Sequence, residues 1–310
     1  MAIFSLGEEK GAAPVSGFME TGAVPFSGRA KGTVPFSQRR EKGTAPFAAI
    51  CLLLLLAGTG LAAEPAAPAP KPVVNFREPA RTYNTVPLGQ WTVMVEQQLQ
   101  ADEPDLAKQA LARLESKLGV MLAALPASAR PRLQKLPLYL MYGPKAKDGG
   151  YNNGAEYFQR NAPEHYKHLD PRWKSCVVIY CAKNYVQQSE LWSLKLLVHE
   201  FAHAHHLEQW PEKQPDILQA WNHAVESGLY SQVKDEKAKL FNPGYATKNQ
   251  LEYFAELSCM YFAGCNYPPA NREELKTYDP VGYNMVEKMW GVRESAPAAA
   301  EAKGAAAGHI

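Results

Sequence analysis

Cysteine is scarce in this chain: five are spread over 310 residues, and no two stand in a C-x-x-C pair. That absence argues against a cysteine zinc finger. An excess of charge of one sign is missing too. With 33 basic against 31 acidic residues the formal net charge is +2, and nothing marks a nucleic-acid binder. The glycines of the 145–154 segment (Gly149, Gly150 and Gly154) are not followed by Gly-Lys-Ser/Thr, so a phosphate-binding loop has little support. The hydrophobic share, 46%, is ordinary for a globular protein. A length of 310 residues fits one catalytic domain plus appendages.

The appendages come first. Residues 1–46 carry a degenerate repeat, Gly22-Ala-Val-Pro-Phe-Ser and Gly32-Thr-Val-Pro-Phe-Ser being two of its units. Each unit is too short and too rich in Gly and Pro to bury a core. The stretch reads as a disordered extension, or as a repeat placed in frame by a start codon set too far upstream. Arg39-Arg40-Glu41-Lys42 then precedes Phe47 to Ala63, a short Leu-rich run ending in small residues. A basic flank, an apolar core and a small-residue end make a secretory signal peptide, with cleavage after Ala62 or Ala63. The run is short for a full span and is broken by Gly58 and Gly60, so an uncleaved anchor is the runner-up. Cys51 precedes most of the apolar core, which is the wrong place for a lipoprotein cysteine. The expected location is therefore secreted, or periplasmic and cell-envelope, with a membrane contact only if the segment stays uncleaved.

Residues 64–74 form a Pro/Ala linker, 75–293 the folded domain, and 294–310 an Ala-rich disordered tail. Loss of Cys51 leaves Cys176, Cys181, Cys259 and Cys265, an even number compatible with disulfides in an exported protein. Cys176 and Cys181 face opposite sides of a strand-like run, so pairing them needs a bend. Cys259 could meet Cys265 across a helix end; buried free thiols are the other reading, and both stand.

Within the domain, Trp91 to Val95, Leu136 to Tyr142 and Ser175 to Tyr180 read as strands. Asp102-Glu103-Pro104-Asp105 opens a helix that runs to about Leu125. Further helices are expected over 215–229, 250–262 and 283–290, with 145–154 and 241–247 as loops.

The stretch around which the chain is organised is Ser189 to Glu208, SELWSLKLLVHEFAHAHHLE. Leu191, Leu194, Leu197, Val198 and Phe201 recur at helical spacing and predict an apolar stripe, with Ser189 as N-cap. Inside lies His199-Glu200-Phe201-Ala202-His203, the H-E-x-x-H pattern. Residues four apart share one helix face, so His199 and His203 can hold one metal ion. Glu200 is rotated off that axis, where it can reach a water beside the ion without binding the ion itself. That is the arrangement of a zinc hydrolase.

A catalytic zinc site usually has three protein ligands and an open position. The longer pattern H-E-x-x-H-x-x-G-x-x-H is not met, because Gln209 stands at its last His and His206 at its Gly. The remaining source is a carboxylate from a second helix. Asn249 to Glu256, NQLEYFAE, offers Glu252 and Glu256 on one face. One binds the metal and the other hydrogen-bonds a ligating His or a substrate amine. Two acids on a mostly apolar helix are costly to bury unless something charged neutralises them. Tyr245 precedes this run, and a phenol is a good preorganised donor to a developing oxyanion. His206, three beyond His203 and near the same face, could touch substrate or a ligand. A solvated or core-satisfied role is the more ordinary one for it and for His205.

Tyr245-Ala-Thr-Lys-Asn249-Gln-Leu-Glu252-Tyr-Phe-Ala-Glu256, with H-E-F-A-H-A, resembles the anthrax lethal factor protease domain and its wider group, which includes the Pro-Pro endopeptidases. The resemblance implies a zinc metallopeptidase of the gluzincin type. It implies Glu252 as third ligand, Glu256 hydrogen-bonded behind the ligands, and Tyr245 on the oxyanion. Asn249 and His206 complete the residues expected beside the ligands. The implied fold is α+β and zincin-like: a small twisted sheet from the segments near 91, 136 and 176, then a mainly helical half carrying the active-site helix. In zincins an edge strand pairs with extended substrate, and Leu136 to Tyr142 is the candidate. The expected cofactor is Zn2+, the partner a peptide or protein substrate, and the chain a monomer. The competing readings are a non-catalytic zinc-binding envelope protein and a zinc amidase acting on cell-wall material.

Overall fold

Turn chemistry and period-two patterning set up the first layer. The computed structural model describes residues 73–292 apart from 153 and 236. The repeat, the apolar run at 47–63, most of the linker and the Ala-rich tail lie outside them. The described residues belong to one compact unit. They run β1 (Tyr83–Leu88), β2 (Trp91–Glu96), α1 (Gln97–Asp102), α2 (Pro104–Ala124), α3 (Arg130–Leu133), β3 (Leu138–Leu140), β4 (Ala155–Phe158), α4 (Ala162–His165) and β5 (Cys176–Ile179). There follow α5 (Ala182–Gln187), α6 (Glu190–Leu207), α7 (Pro215–Glu226), β6 (Val233–Lys234), β7 (Leu240–Phe241), a 3-10 turn (Tyr245–Thr247), α8 (Gln250–Phe262), α9 (Arg272–Tyr278) and α10 (Pro280–Trp290). The class is α+β.

Five strands form the main sheet in the order β1-β2-β3-β5-β4. β1 and β2 make an antiparallel hairpin closed at Leu88↔Trp91, where Gly89 takes φ +60°. β3 runs parallel to both β2 and β5, and β4 returns antiparallel along β5. Alternate residues part the two faces. Val93, Val95, Leu138, Leu140, Tyr157, Val177 and Ile179 join the large core under the helices. Tyr139, Met141, Phe158, Cys176, Val178 and Tyr180 join a smaller aromatic core with Phe76 and Trp173 on the far face.

Two expectations change. Leu136 to Tyr142 shortens to β3, which lies between β2 and β5 and cannot be an edge. Its side chains are buried on both faces, so β3 is an interior strand of the parallel pairings. The strand on the open side next to α6 is β4, whose four residues, AEYF, carry too little pattern to stand out in sequence. The second change concerns α6. An apolar stripe on one face was expected, but from Lys195 to His206 every residue of the helix is buried. The sheet, α2 and α8 pack around it, with the Phe201 ring edge-on to Trp91 at 5.2 Å.

The four described cysteines are buried free thiols. No helix among the described residues is long and apolar enough to cross a membrane.

Candidate metal centre

Two capped helices carry the site. The Ser189 hydroxyl accepts from Trp192 N at 3.2 Å and starts α6, which holds His199, Glu200 and His203. Asn249 Oδ1 accepts from Glu252 N at 2.9 Å and starts α8, which holds Glu252 and Glu256. Asn249 thus fixes the helix end beneath Glu252 rather than touching a histidine. Asn249→Ala is expected to lower stability by about 1 kcal/mol. Urea unfolding reads this directly, and an unchanged midpoint would show that the cap contributes nothing.

α6 and α8 pack together so that three lone-pair atoms converge. His199 Nε2 lies 3.2 Å from His203 Nε2 and 3.1 Å from Glu252 Oε2, and His203 Nε2 lies 3.4 Å from Glu252 Oε2. Bonds of about 2.0–2.2 Å to a tetrahedral ion would set such ligand atoms about 3.3 Å apart. The three therefore fit one face of a tetrahedral ion. On its other side His199 Nδ1 meets Glu256 Oε1 at 3.0 Å. With Nδ1–H donated to that carboxylate, Nε2 is left as a lone pair turned on two other acceptors. Acceptors gathered in a buried site require a cation between them. A proton can fill that need. Burial opposes charge on His199, but hydrogen bonds with Cys259, Glu252 and Glu256 hold its pKa well above the usual imidazole value. Burial alone would raise Glu252, yet His199 and His203 hold it well below the usual carboxylate range. His203 is lowered, chiefly by burial, and its Nδ1 has no partner.

The remaining atoms around Glu252 and Glu200 are also placed. Glu252 Oε1 accepts from Tyr245 Oη at 3.0 Å and from Lys248 Nζ at 3.1 Å. Glu200 does not join the convergent trio. Its Oε2 accepts from Tyr157 N on β4 at 2.8 Å. Burial pushes its carboxyl up to about 8; Glu252 and Glu156 add to the shift, while His199 and the Tyr157 N–H oppose it.

Behind the trio stands a buried ion pair that sequence reading missed. Lys195 Nζ lies 2.9 Å from Glu256 Oε2 and 3.2 Å from Asn266 Oδ1, and both charged side chains are almost fully buried. Tyr267 donates to the same Glu256 oxygen. Lys195 is the charged group that makes burial of two acids on α8 tolerable. Its one available signal was a lysine one turn before His199 inside an apolar run. Lys248 was missed for a simpler reason: alone it is an ordinary surface lysine.

The hydrogen bonds of His205 and His206 go to backbone carbonyls outside the trio. His205 stacks on Trp290 at 3.9 Å and meets the Met289 carbonyl at 3.0 Å. His206 Nε2 meets the Pro211 carbonyl at 3.1 Å, with its ring edge-on to Phe254 at 5.7 Å. Burial pushes both down to about 4, which leaves two neutral core histidines.

No curated protein and no solved structure matches this chain. Residues 151–289, a stretch that carries β4, both motif helices and Tyr245, match the family described as Anthrax toxin lethal factor, N- and C-terminal domain, and in this part the chain is similar to that family.

Proposed function

We propose that the protein is an exported zinc metalloendopeptidase of the gluzincin type, with a zincin-like fold. The observation that carries this is the tetrahedral spacing of His199 Nε2, His203 Nε2 and Glu252 Oε2, with Glu200 beside them but outside the set. The similarity of residues 151–289 to the lethal factor family supports metalloprotease-like chemistry.

His199, His203 and Glu252 would hold the ion, and two imidazoles with one carboxylate suit Zn2+. When bound, zinc supplies Lewis acidity that polarises a carbonyl and lowers the pKa of water. Glu200 takes a proton from the attacking water and returns it to the leaving amine. A carboxylate suits that exchange because it can accept the proton and then donate it. Tyr245 releases Glu252 Oε1 and donates to the oxygen on which negative charge grows. Glu256 keeps His199 turned toward the ion. β4 is the strand for an extended peptide to pair with, since its Tyr157 N–H already borders Glu200.

Export rests on the basic flank and apolar run of residues 39–63, and a reading without nucleic-acid partners on the near-neutral charge. Metal analysis of the purified full chain, followed by digestion of a peptide library, tests the whole reading. One zinc per chain and chelator-sensitive cleavage are expected. A zinc-loaded chain that cleaves nothing would leave a holder of metal, not a protease. Tyr245→Phe should keep the metal and lower kcat by about 10²-fold, read by single-turnover kinetics. An unchanged kcat would remove Tyr245 from the reaction.

A further inference from the structure

Glu156 has no part in the reaction just described, yet it stands beside it. It is the second residue of β4, and strand alternation turns its side chain away from α6, toward the face that holds Phe158 and Tyr180. Tyr180 Oη donates to Oε2 at 2.7 Å. Oε1 is buried and has no hydrogen-bond partner. Among the described residues no basic side chain forms an ion pair with Glu156. A buried carboxylate oxygen without donor or counter-ion is costly to keep.

The surroundings are those that suit a cation. The ring of Tyr180 packs edge-on to that of Tyr151 at 5.1 Å. Tyr151 and Tyr166 both lie close enough to feel the Glu156 charge. Burial pushes the Glu156 carboxyl up to about 8 and the nearby Glu252 adds to the shift, while the Tyr180 hydrogen bond and the charge of Lys248 oppose it. A carboxylate oxygen with no donor of its own favours an ammonium or guanidinium group.

The strand geometry says where that group would come from. β4 pairs with β5 along one side only, Glu156 opposite Val178. A peptide added to the other side would place one of its residues opposite Glu156, with its side chain on the same face and Cβ atoms about 5 Å apart. That residue would bring the missing charge to Oε1. We propose that Glu156, with Tyr180, Tyr151 and Tyr166 around it, forms a subsite for a Lys or Arg side chain of an extended substrate paired along β4. This rests on the endopeptidase reading for the placement of the peptide, and it adds a substrate class: chains with a basic residue beside the scissile bond.

The test compares one peptide that the protein cleaves in three versions, with Lys, norleucine or Glu scanned through the positions flanking the cut. At one position Lys should exceed norleucine in kcat/KM by about tenfold. Glu156→Gln should collapse that ratio toward one, and Glu156→Lys should turn the preference toward Glu. A Lys preference that survives both substitutions overturns the subsite. Binding of an extended peptide in the same three versions, cleaved or not, to the zinc-loaded Glu200→Gln variant, with and without Glu156→Gln, separates the two readings. Tighter binding of the Lys peptide that depends on Glu156, in a protein whose wild type cleaves nothing, would keep the subsite and remove the protease. Equal binding of the Lys and norleucine peptides would overturn the subsite.

Discussion

Glu200→Gln should retain one metal ion and lose hydrolysis by a factor of about 10²–10⁴ in kcat. The metal is retained because Glu200 contributes no atom to the convergent trio of His199, His203 and Glu252. The rate is lost because an amide of the same shape cannot accept the proton of the attacking water. Folding is not the cause of that loss. The Gln carbonyl can still accept from Tyr157 N, where Glu200 Oε2 does so at 2.8 Å. The carboxyl, pushed up to about 8 by burial, is a group whose ionisation opposes folding as pH rises from its unfolded value toward that figure. At neutral pH the neutral amide removes that opposition, so the melting temperature should not fall. Metal content, thermal melting and peptide cleavage on the same sample check the three statements. A variant that cleaves at the wild-type rate would show that Glu200 is not the base.

The second large effect is on stability. Lys195→Met should destabilise the metal-bound protein by about 3–5 kcal/mol at neutral pH, because it strands the buried Glu256 carboxylate. Burial would raise Glu256, yet Lys195, His199 and Tyr267 hold it down to about 2. A folded-state value below the unfolded one gives stability that is present above the unfolded pKa and lost as pH falls through the folded one. The ion pair therefore contributes fully at neutral pH. Adding Glu256→Gln to Lys195→Met should recover part of the loss, since the stranded charge is removed with its partner. Equilibrium unfolding in guanidinium measures both. If Lys195→Met unfolds at the wild-type midpoint, Glu256 does not depend on the lysine.

The sequence was most legible where local rules and chemistry coincide. α8 spans Gln250–Phe262, the range its pattern predicts, because Asn249 caps it and nearly every residue after it is buried. α6 likewise starts at its Ser189 cap. Spacing alone put His199 and His203 on one face and set Glu252 and Glu256 one turn apart, since a helix repeats whatever its surroundings. Strands were harder. β4 has four residues and becomes a strand only by pairing with Cys176–Ile179, so its identity lies in a partner some twenty residues on. The position of β3 in the middle of the sheet is equally non-local, because strand order is a property of the whole sheet.

By itself, then, the sequence determined the H-E-x-x-H helix, the second acidic helix and their caps, all of which follow from periodicity within about one turn of chain. Helix periodicity left open which carboxylate faces the imidazoles; the resemblance implied Glu252, and the physical reason lies in the tertiary structure. Glu252 and Glu256 stand on the same helix face, and packing of α8 on α6 set Glu252 Oε2 against the two Nε2 atoms while Glu256 went to Nδ1. It also decided that Lys195 neutralises Glu256 and that Glu156 stands on β4 next to Tyr157, whose N–H meets Glu200. Those meetings join residues far apart in the chain, and no local rule encodes the distance between them.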